Sequence, residues 1–239
     1  MSYFIIFSIG IYFGFLATAI TYRFIVEEDL FVPFQCPVCN HKLHKTDLIP
    51  LISYFLISRT FCRYCHKKIS RIYPTVEIIS GILFLITFAK YGLSMKFIFV
   101  TLCLYIVFIC VVIDIETLTV PDIFLYLLLL LSIIFACLYL ENTILSLSLS
   151  LSIFFLLIVI EKIVTRLLHR QSLGFGDVIL IPVLTNFLSP NLVPYFIIMS
   201  GVFGILFGII WRFCLFMGNR FPFIPPIFLS LFLCIFFGN

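Results

Sequence analysis

The sequence predicts an all-α polytopic membrane protein with about eight transmembrane helices and a four-cysteine loop between helices 1 and 2. Of its 239 residues, 63% are hydrophobic and only 11% are charged. Its apolar runs approach the roughly 20 residues that cross a bilayer as a helix. A single long polar segment interrupts them, and it carries two cysteine pairs. The formal net charge of +4 is too small to indicate a nucleic-acid partner, so lipid is the expected surroundings.

The candidate spans are uninterrupted apolar runs of about the length that a bilayer requires. The sixth run is short for a span. Because helices inside a bundle are apolar on every side, periodicity does not refine the boundaries. The runs cover residues 3–23, 73–90, 96–114, 122–140, 143–163, 177–189, 192–216 and 222–238.

The basic residues predict the orientation of these spans. If the long loop after the first span is cytoplasmic, 13 of the 15 lysine and arginine residues lie inside, and only Lys90 and Lys96 lie outside. Cytoplasmic loops are enriched in lysine and arginine, and the opposite orientation would reverse this ratio. We therefore expect a multi-pass protein of the inner or cytoplasmic membrane with this loop in the cytoplasm.

The cytoplasmic loop, residues 24–72, contains a candidate zinc site. Cys36 and Cys39 form one Cys-x-x-Cys pair, and Cys62 and Cys65 form another after 22 intervening residues. Two such pairs allow four thiolates to surround one zinc ion tetrahedrally. A closed site of four thiolates has no position for a reacting water, so the predicted role of the metal is structural.

Two alternatives to zinc remain open for these four cysteines. They are a redox-active dithiol and plain reduced thiols, although paired spacing in a reducing compartment favours a metal. The other cysteines lie in apolar runs and are interpreted as small buried hydrophobic residues. These are Cys103, Cys110, Cys137, Cys214 and Cys234.

Two aspartates at the ends of apolar runs are the candidate catalytic residues. Asp114 ends an inward-running span and Asp177 begins an outward-running one, so the topology brings both to the cytoplasmic face. Two adjacent carboxyl groups do not both ionise easily, so one can polarise a carbonyl while the other activates water. Ionisable groups at membrane spans are costly, which favours a functional role. The pair predicts an aspartyl protease within the membrane.

Four further residues support this candidate site. Gly174 and Gly176 remove bulk beside Asp177, which allows a turn into the helix or the close approach of a substrate backbone. Glu116 and Asp122 accompany Asp114 in a short polar loop. The structural alternatives are a helix-start turn with Asp177 as N-cap and an ordinary polar turn between helices.

At these residues the sequence resembles the prepilin peptidases, also called the type IV leader peptidase family, in their bacterial two-domain form. The shared motifs stand in the same order along nearly the whole chain. They are Cys36-Pro-x-Cys39, Asp47-Leu-Ile-Pro50-Leu-x-Ser53-Tyr54, Cys62-Arg-x-Cys65, Ile69-Ser70-Arg71-x-Tyr73-Pro74 with Glu77, the Asp114 segment ending in Pro121-Asp122, and Gly174-x-Gly176-Asp177.

The resemblance implies an aspartic endopeptidase that cuts the short basic leader from type IV pilin or pseudopilin precursors. Cleavage follows a glycine at the cytoplasmic membrane face, and Asp114 and Asp177 are the catalytic aspartates. Many such enzymes also methylate the new N-terminus with S-adenosylmethionine. The implied domains are a methylation-associated region, residues 1–95, and a six-helix peptidase domain, residues 96–239.

The chain departs from the family pattern at three places. Glu116 stands where the family usually has aspartate, and Ile179 replaces a common lysine. The segment 14–23 lacks the usual serine and asparagine, which leaves methylation open. Two other classes of function also stay open at this point. A proton-coupled transporter predicts acidic residues in mid-span, and a membrane adaptor that binds a partner through its zinc loop predicts purely structural aspartates.

Overall fold

The computed structural model describes residues 1–26, 39, 41, 62, 64–66, 72–168, 174–213 and 221–238, and within these ranges the chain is helical, without strands. A short 3-10 turn, Pro190–Leu192, precedes the seventh helix. The α-helices are α1 Ser2–Val26, α2 Ile72–Tyr91, α3 Met95–Thr117, α4 Asp122–Tyr139, α5 Thr143–Leu168, α6 Phe175–Thr185, α7 Val193–Phe213 and α8 Ile224–Phe237.

The prediction of an all-helical chain rich in apolar helices is confirmed. Six helices of the described ranges are long and apolar enough to cross a membrane, and α6 and α8 are shorter. With 11 residues, α6 is about 16 Å long at 1.5 Å per residue, which is less than a bilayer core of about 30 Å. The described chain therefore has six to eight apolar helices of spanning character, and a count of eight spans stays a prediction.

The chain divides into two compact units, Met1–Phe97 and Ile98–Asn239. In the first unit, α1 and α2 form an antiparallel pair. The ring of Tyr3 lies 5.1 Å from that of Phe88, and the ring of Phe13 lies 5.2 Å from that of Phe84. As the residue number rises along α1, the number of the contacting residue on α2 falls. The end of α1 and the start of α2 consequently share one end of the pair.

Glycines allow these two helices to approach closely. A Cβ at Gly14 would lie 2.5 Å from the Cα of Glu77, and one at Gly10 would lie 2.8 Å from the Cα of Gly81. Both contacts are with backbone, which cannot move aside. Helices in lipid associate through such small-residue surfaces because van der Waals packing replaces the hydrophobic effect there.

We expect Gly14→Val to separate α1 from α2 and to destabilise the first unit by about 3 kcal/mol, as in overpacked cores. Thermal unfolding of the purified protein, followed by circular dichroism, measures the effect. Gly201→Val is the matched control, because a Cβ at Gly201 meets nothing within 4 Å. Equal melting temperatures for the two variants would contradict this account of the pair.

The second unit is built around α3, which is buried along residues 103–113. Aromatic contacts tie it to its neighbours: Phe108 lies 6.0 Å from Phe228 of α8, and Phe99 lies 6.4 Å from Phe135 of α4, between ring centroids. An ionisable residue at the end of α3 is therefore placed next to the core of this unit.

Helices α4 and α6 run parallel, so their starts share one end of the unit. Three pairs of contacting residues establish this direction, since both numbers rise together. They are Val120 with Gly176, Ser132 with Asn186 through a 3.3 Å hydrogen bond, and Phe135 with Phe187 at 4.9 Å between ring centroids.

A proline within α6 provides its link to α5. The Ser150 hydroxyl of α5 donates a 2.8 Å hydrogen bond to the carbonyl of Pro182, and the Thr185 hydroxyl donates to the same oxygen. Because α6 ends at Thr185, the Asn186 N–H donates to the Val183 carbonyl, and the two hydroxyl groups satisfy the Pro182 carbonyl instead. This hydrogen bond fixes the position of α6 along the axis of α5.

Candidate active site

Asp114 lies on the last turns of α3, and only 6% of its surface is exposed. The helix ends immediately afterwards, because Leu118 adopts a left-handed conformation with φ 55° and its N–H donates to the Asp114 carbonyl at 2.9 Å. A left-handed residue that closes a helix in this way is normally glycine or asparagine. The turn is held further by the Thr117 hydroxyl, which lies 2.8 Å from that of Thr119.

Asp177 is the third residue of α6, and Gly174 is the N-cap. The N–H of Asp177 donates to the Gly174 carbonyl at 3.1 Å. The first turn of α6 is therefore closed through the backbone, without a side-chain cap. Asp177 is therefore not the N-cap that the structural alternative assumed.

The two glycines of this turn make room for contacts within the protein. A Cβ at Gly174 would lie 3.1 Å from Oδ2 of Asp177, and a Cβ at Gly176 would lie 3.1 Å from the Val120 side chain. Val120 belongs to the loop that follows Asp114. The absence of side chains at the glycines thus brings the start of α6 against the end of α3.

The two carboxylates meet at one end of the second unit. They are close enough for the charge of Asp114 to act on Asp177. A backbone amide accompanies Asp114, since the Ile224 N–H donates to its Oδ2 at 3.0 Å. Two carboxyl groups that interact at a partly buried site can share a proton, so that one acts as an acid and the other as a base.

The other acidic residues of the loop are placed differently. The side chains of Glu116 and Asp122 are exposed, and Asp122 is the first residue of α4, with Pro121 as its N-cap. An acidic residue in the first turn interacts favourably with the helix dipole. This position accounts for Asp122 as a helix-start residue, and the supporting role predicted for Glu116 and Asp122 stays a prediction.

Sequence analysis missed the contribution of α8 to this site. The two prolines Pro225 and Pro226 do mark a helix start, because proline is favoured in a first turn. The two prolines do not indicate that the preceding amide, that of Ile224, donates a hydrogen bond to a carboxylate 110 positions earlier in the chain. That pairing depends on how α3 and α8 pack.

Three of the four predicted zinc ligands lie together in the first unit. The ligand atoms of Cys39, Cys62 and Cys65 all lie within 4.8 Å of one another, and the first two sulfurs are 3.9 Å apart. Tetrahedral zinc with Zn–S bonds of about 2.3 Å separates its sulfurs by about 3.8 Å. These three cysteines fit a metal ion. Cys36 lies outside the described residues, so the four-cysteine set stays a prediction.

The bundle of long apolar helices, with two aspartates at one end of its second unit, has the architecture of a polytopic membrane protein. Residues 8–91 match the model of the Bacterial Peptidase A24 N-terminal domain, and residues 101–209 match that of the Type IV leader peptidase family. The chain belongs to the type IV leader peptidase family, in its two-domain form.

Individual relatives agree with both matches. A Prepilin leader peptidase/N-methyltransferase of Vibrio cholerae is 28% identical over 99% of this chain and 97% of its own length. One of Neisseria gonorrhoeae is 29% identical over 82% and 68%. A Type 4 prepilin-like proteins leader peptide-processing enzyme of Escherichia coli is 28% identical over 74% and 66%. No solved structure matches the chain significantly.

Proposed function

We propose that this protein is a prepilin leader peptidase that cleaves type IV pilin or pseudopilin precursors after a glycine. The observation that carries the proposal is that Asp114 at the end of α3 and Asp177 at the start of α6 lie at one end of the second unit, where Val120 packs on Gly176. The family membership and the names of the relatives support the same substrate class. The transporter alternative expected acidic residues in mid-span, whereas these stand at the end of α3 and the start of α6.

The proposed reaction is hydrolysis by the carboxyl pair without a metal ion. One carboxylate accepts a proton from water while the water oxygen bonds to the carbonyl carbon of the glycine at the junction. The other, protonated carboxyl group donates to the carbonyl oxygen and stabilises the tetrahedral intermediate. The carbon–nitrogen bond then breaks, and the leaving amine takes up a proton from the pair.

The active end faces the cytoplasm in this proposal. The support is the distribution of charge, with 13 of 15 basic residues on the side of the long loop and of both aspartates in the predicted topology. The apolar helix of the precursor stays in the bilayer while its basic leader reaches the pair from the cytoplasm. The protein is then a multi-pass protein of the inner or cytoplasmic membrane.

Co-expression with a type IV prepilin tests the proposal. We expect a faster-migrating product whose mass shows cleavage after the glycine, and no cleavage of a precursor in which valine replaces that glycine. The same mass shows whether one methyl group has been added. An intact precursor beside normally expressed protein would overturn the assignment.

Methyl transfer to the new N-terminus is the second activity that we propose, because the relatives are named as N-methyltransferases as well as peptidases. The peptidase model covers residues 101–209, which leaves the first unit for this reaction. S-adenosylmethionine supplies a methyl group on a positively charged sulfur. The amine forms a bond to that carbon as the carbon–sulfur bond breaks, and a proton is released.

A polar seam between α1 and α2, formed by Thr21, Glu77 and Ser80, is suited to such charged groups. All three are at most 6% exposed, and the hydroxyl oxygens of Thr21 and Ser80 have no hydrogen-bond partner among the described residues. Other hydroxyls of this pair bond back to their own helix, as Thr18 does to Phe15. An acidic residue inside a membrane helix is costly without a function. Glu77 is therefore our candidate to hold a cationic group.

Zinc in the cytoplasmic loop has a structural role in this proposal. We expect the purified protein to contain about one zinc ion per chain by mass spectrometry, as a four-thiolate site requires. Cys62→Ser should lower that content strongly, whereas Cys137→Ser, in the apolar α4, should leave it unchanged. Equal metal content in the two variants would exclude these cysteines as ligands.

A further inference from the structure

The start of α8 contacts the Asp114 carboxylate through the backbone. The Ile224 N–H donates to Oδ2 of Asp114 at 3.0 Å, and the Phe223 N–H lies near the same carboxylate. Both partners of the 3.0 Å bond are buried, with Ile224 fully enclosed. Hydrogen bonds of this kind, from amides to an ionised group, are about twice as strong as neutral ones.

These amide donors offset the unfavourable location of the Asp114 charge. Asp114 lies near the C-terminal end of α3, where the helix dipole disfavours a negative charge. The N-terminal end of α8 has the opposite polarity. Pro225 and Pro226 have no N–H, so the Ile224 N–H is the amide donor next to them, and it is directed to Asp114.

A glycine of α7 holds the start of α8 in place. A Cβ at Gly204 would collide with the ring of Phe223, so the ring occupies the space left by the missing side chain. One turn further along α7, Gly208 receives Phe221, since a Cβ there would lie 3.3 Å from that ring. By contrast, a Cβ at Gly201 meets nothing within 4 Å.

We propose that the α7–α8 corner, formed by Gly204, Phe223 and Ile224, is a positioning device for Asp114. Gly204 seats the Phe223 ring, the seated ring fixes the first amides of α8, and these amides orient the carboxylate and favour its ionised form. Phe223 and Ile224 lie beyond residues 101–209, the segment that the peptidase family model matches. The inference rests on the proposed peptidase activity.

Among the residues that the structure describes, two other titratable groups interact with the charge of Asp114. Asp177 lies at the start of α6, and Cys110 lies one turn before Asp114 on α3. Both are within range of the Asp114 charge. Neither is a cation, so neither replaces the amides as a partner of an ionised Asp114. Loss of the amides should therefore be visible in the pH dependence of cleavage.

The test compares Gly204→Ala with Gly201→Ala in purified protein cleaving a prepilin between pH 5 and pH 8. The methyl group at position 204 displaces Phe223 and with it the Ile224 amide. We expect kcat to fall on the order of 100-fold, the usual consequence of misplacing a catalytic group by about 1 Å, with KM little changed. The acidic limb of kcat/KM should move to higher pH. Gly201→Ala should match the wild type.

A compensating change shows whether the collision is the cause. Phe223→Leu, added to Gly204→Ala, makes room for the methyl group and should restore both kcat and the acidic limb. The proposal is overturned if Gly204→Ala behaves as Gly201→Ala does. It is also overturned if activity falls while the acidic limb stays in place and Phe223→Leu does not help. A wild-type protein that cleaves no precursor would instead refute the peptidase assignment itself.

Discussion

Asp114→Asn and Asp177→Asn should each abolish leader cleavage while the protein accumulates normally in the membrane. Asparagine keeps the size of the side chain but neither accepts a proton from water nor donates one to a leaving amine. Acid/base groups contribute about 10²–10⁴-fold to such reactions. Because the two carboxylates act as one unit, the double variant should be no less active than either single variant. Initial rates in membranes, followed by gel shift, measure these losses.

Glu116→Gln and Asp122→Asn are the matched controls for this experiment. Each removes a carboxylate from the same loop, but both side chains are exposed. We expect a loss of less than about threefold, the size of a supporting contribution from an exposed carboxylate and far below the loss in Asp114→Asn or Asp177→Asn. Full activity in Asp177→Asn would remove that residue from the mechanism and favour a membrane adaptor. Loss of activity in all four variants would indicate that the loop as a whole is required.

Glu77→Gln should separate the two proposed activities. Cleavage depends on the second unit and should continue, whereas methylation of the product should fall by about 30-fold or more, as for a buried charge deprived of its partner. The ratio of methylated to unmethylated product in a mass spectrum measures the change. Ser80→Ala should have a smaller effect in the same direction, because it removes a buried hydroxyl without removing charge.

Thr87→Val is the matched control on the same helix. Thr87 is fully buried like Ser80, but its hydroxyl donates to the carbonyls of Leu83 and Phe84 within α2. Its loss should leave methylation unchanged. Equilibrium dialysis of S-adenosylmethionine then distinguishes the ligand. Weaker binding of S-adenosylmethionine to Glu77→Gln would show that Glu77 holds the methyl donor. Unchanged binding together with lost methyl transfer would show that Glu77 holds the amine of the cleaved product instead. Normal methylation in Glu77→Gln would exclude the seam.

The helices and their order could be predicted from the sequence, because apolar length alone identifies a helix in lipid. The prediction was weakest at α6, where the predicted span 177–189 contains a helix that ends at Thr185. The chain turns after Thr185, and the Ser150 hydroxyl of α5 donates to the Pro182 carbonyl in the last turn of the helix. A contact between distant helices thus stabilises a boundary that composition does not show.

The candidate catalytic pair was also accessible to sequence reasoning, because charge is rare in the spans of this protein and both aspartates end apolar runs. The surroundings of the two aspartates could not be predicted from the sequence. The sequence contains no local pattern that joins Ile224 to Asp114, or Val120 to Gly176, since these pairs are far apart along the chain. Only the packing of α3 against its neighbours brings amide donors to the carboxylate.

By itself, the sequence determined that this protein is a bundle of apolar helices, which residues are ionisable within it, and where four cysteines stand in register for a metal. These properties follow from composition and spacing, which act locally. The tertiary structure decided which helix ends lie together, that the Phe223 ring packs on Gly204, and that the Ile224 N–H donates to Asp114. Such contacts depend on the shape of facing surfaces, where a missing side chain on one helix leaves room for an aromatic ring beside another.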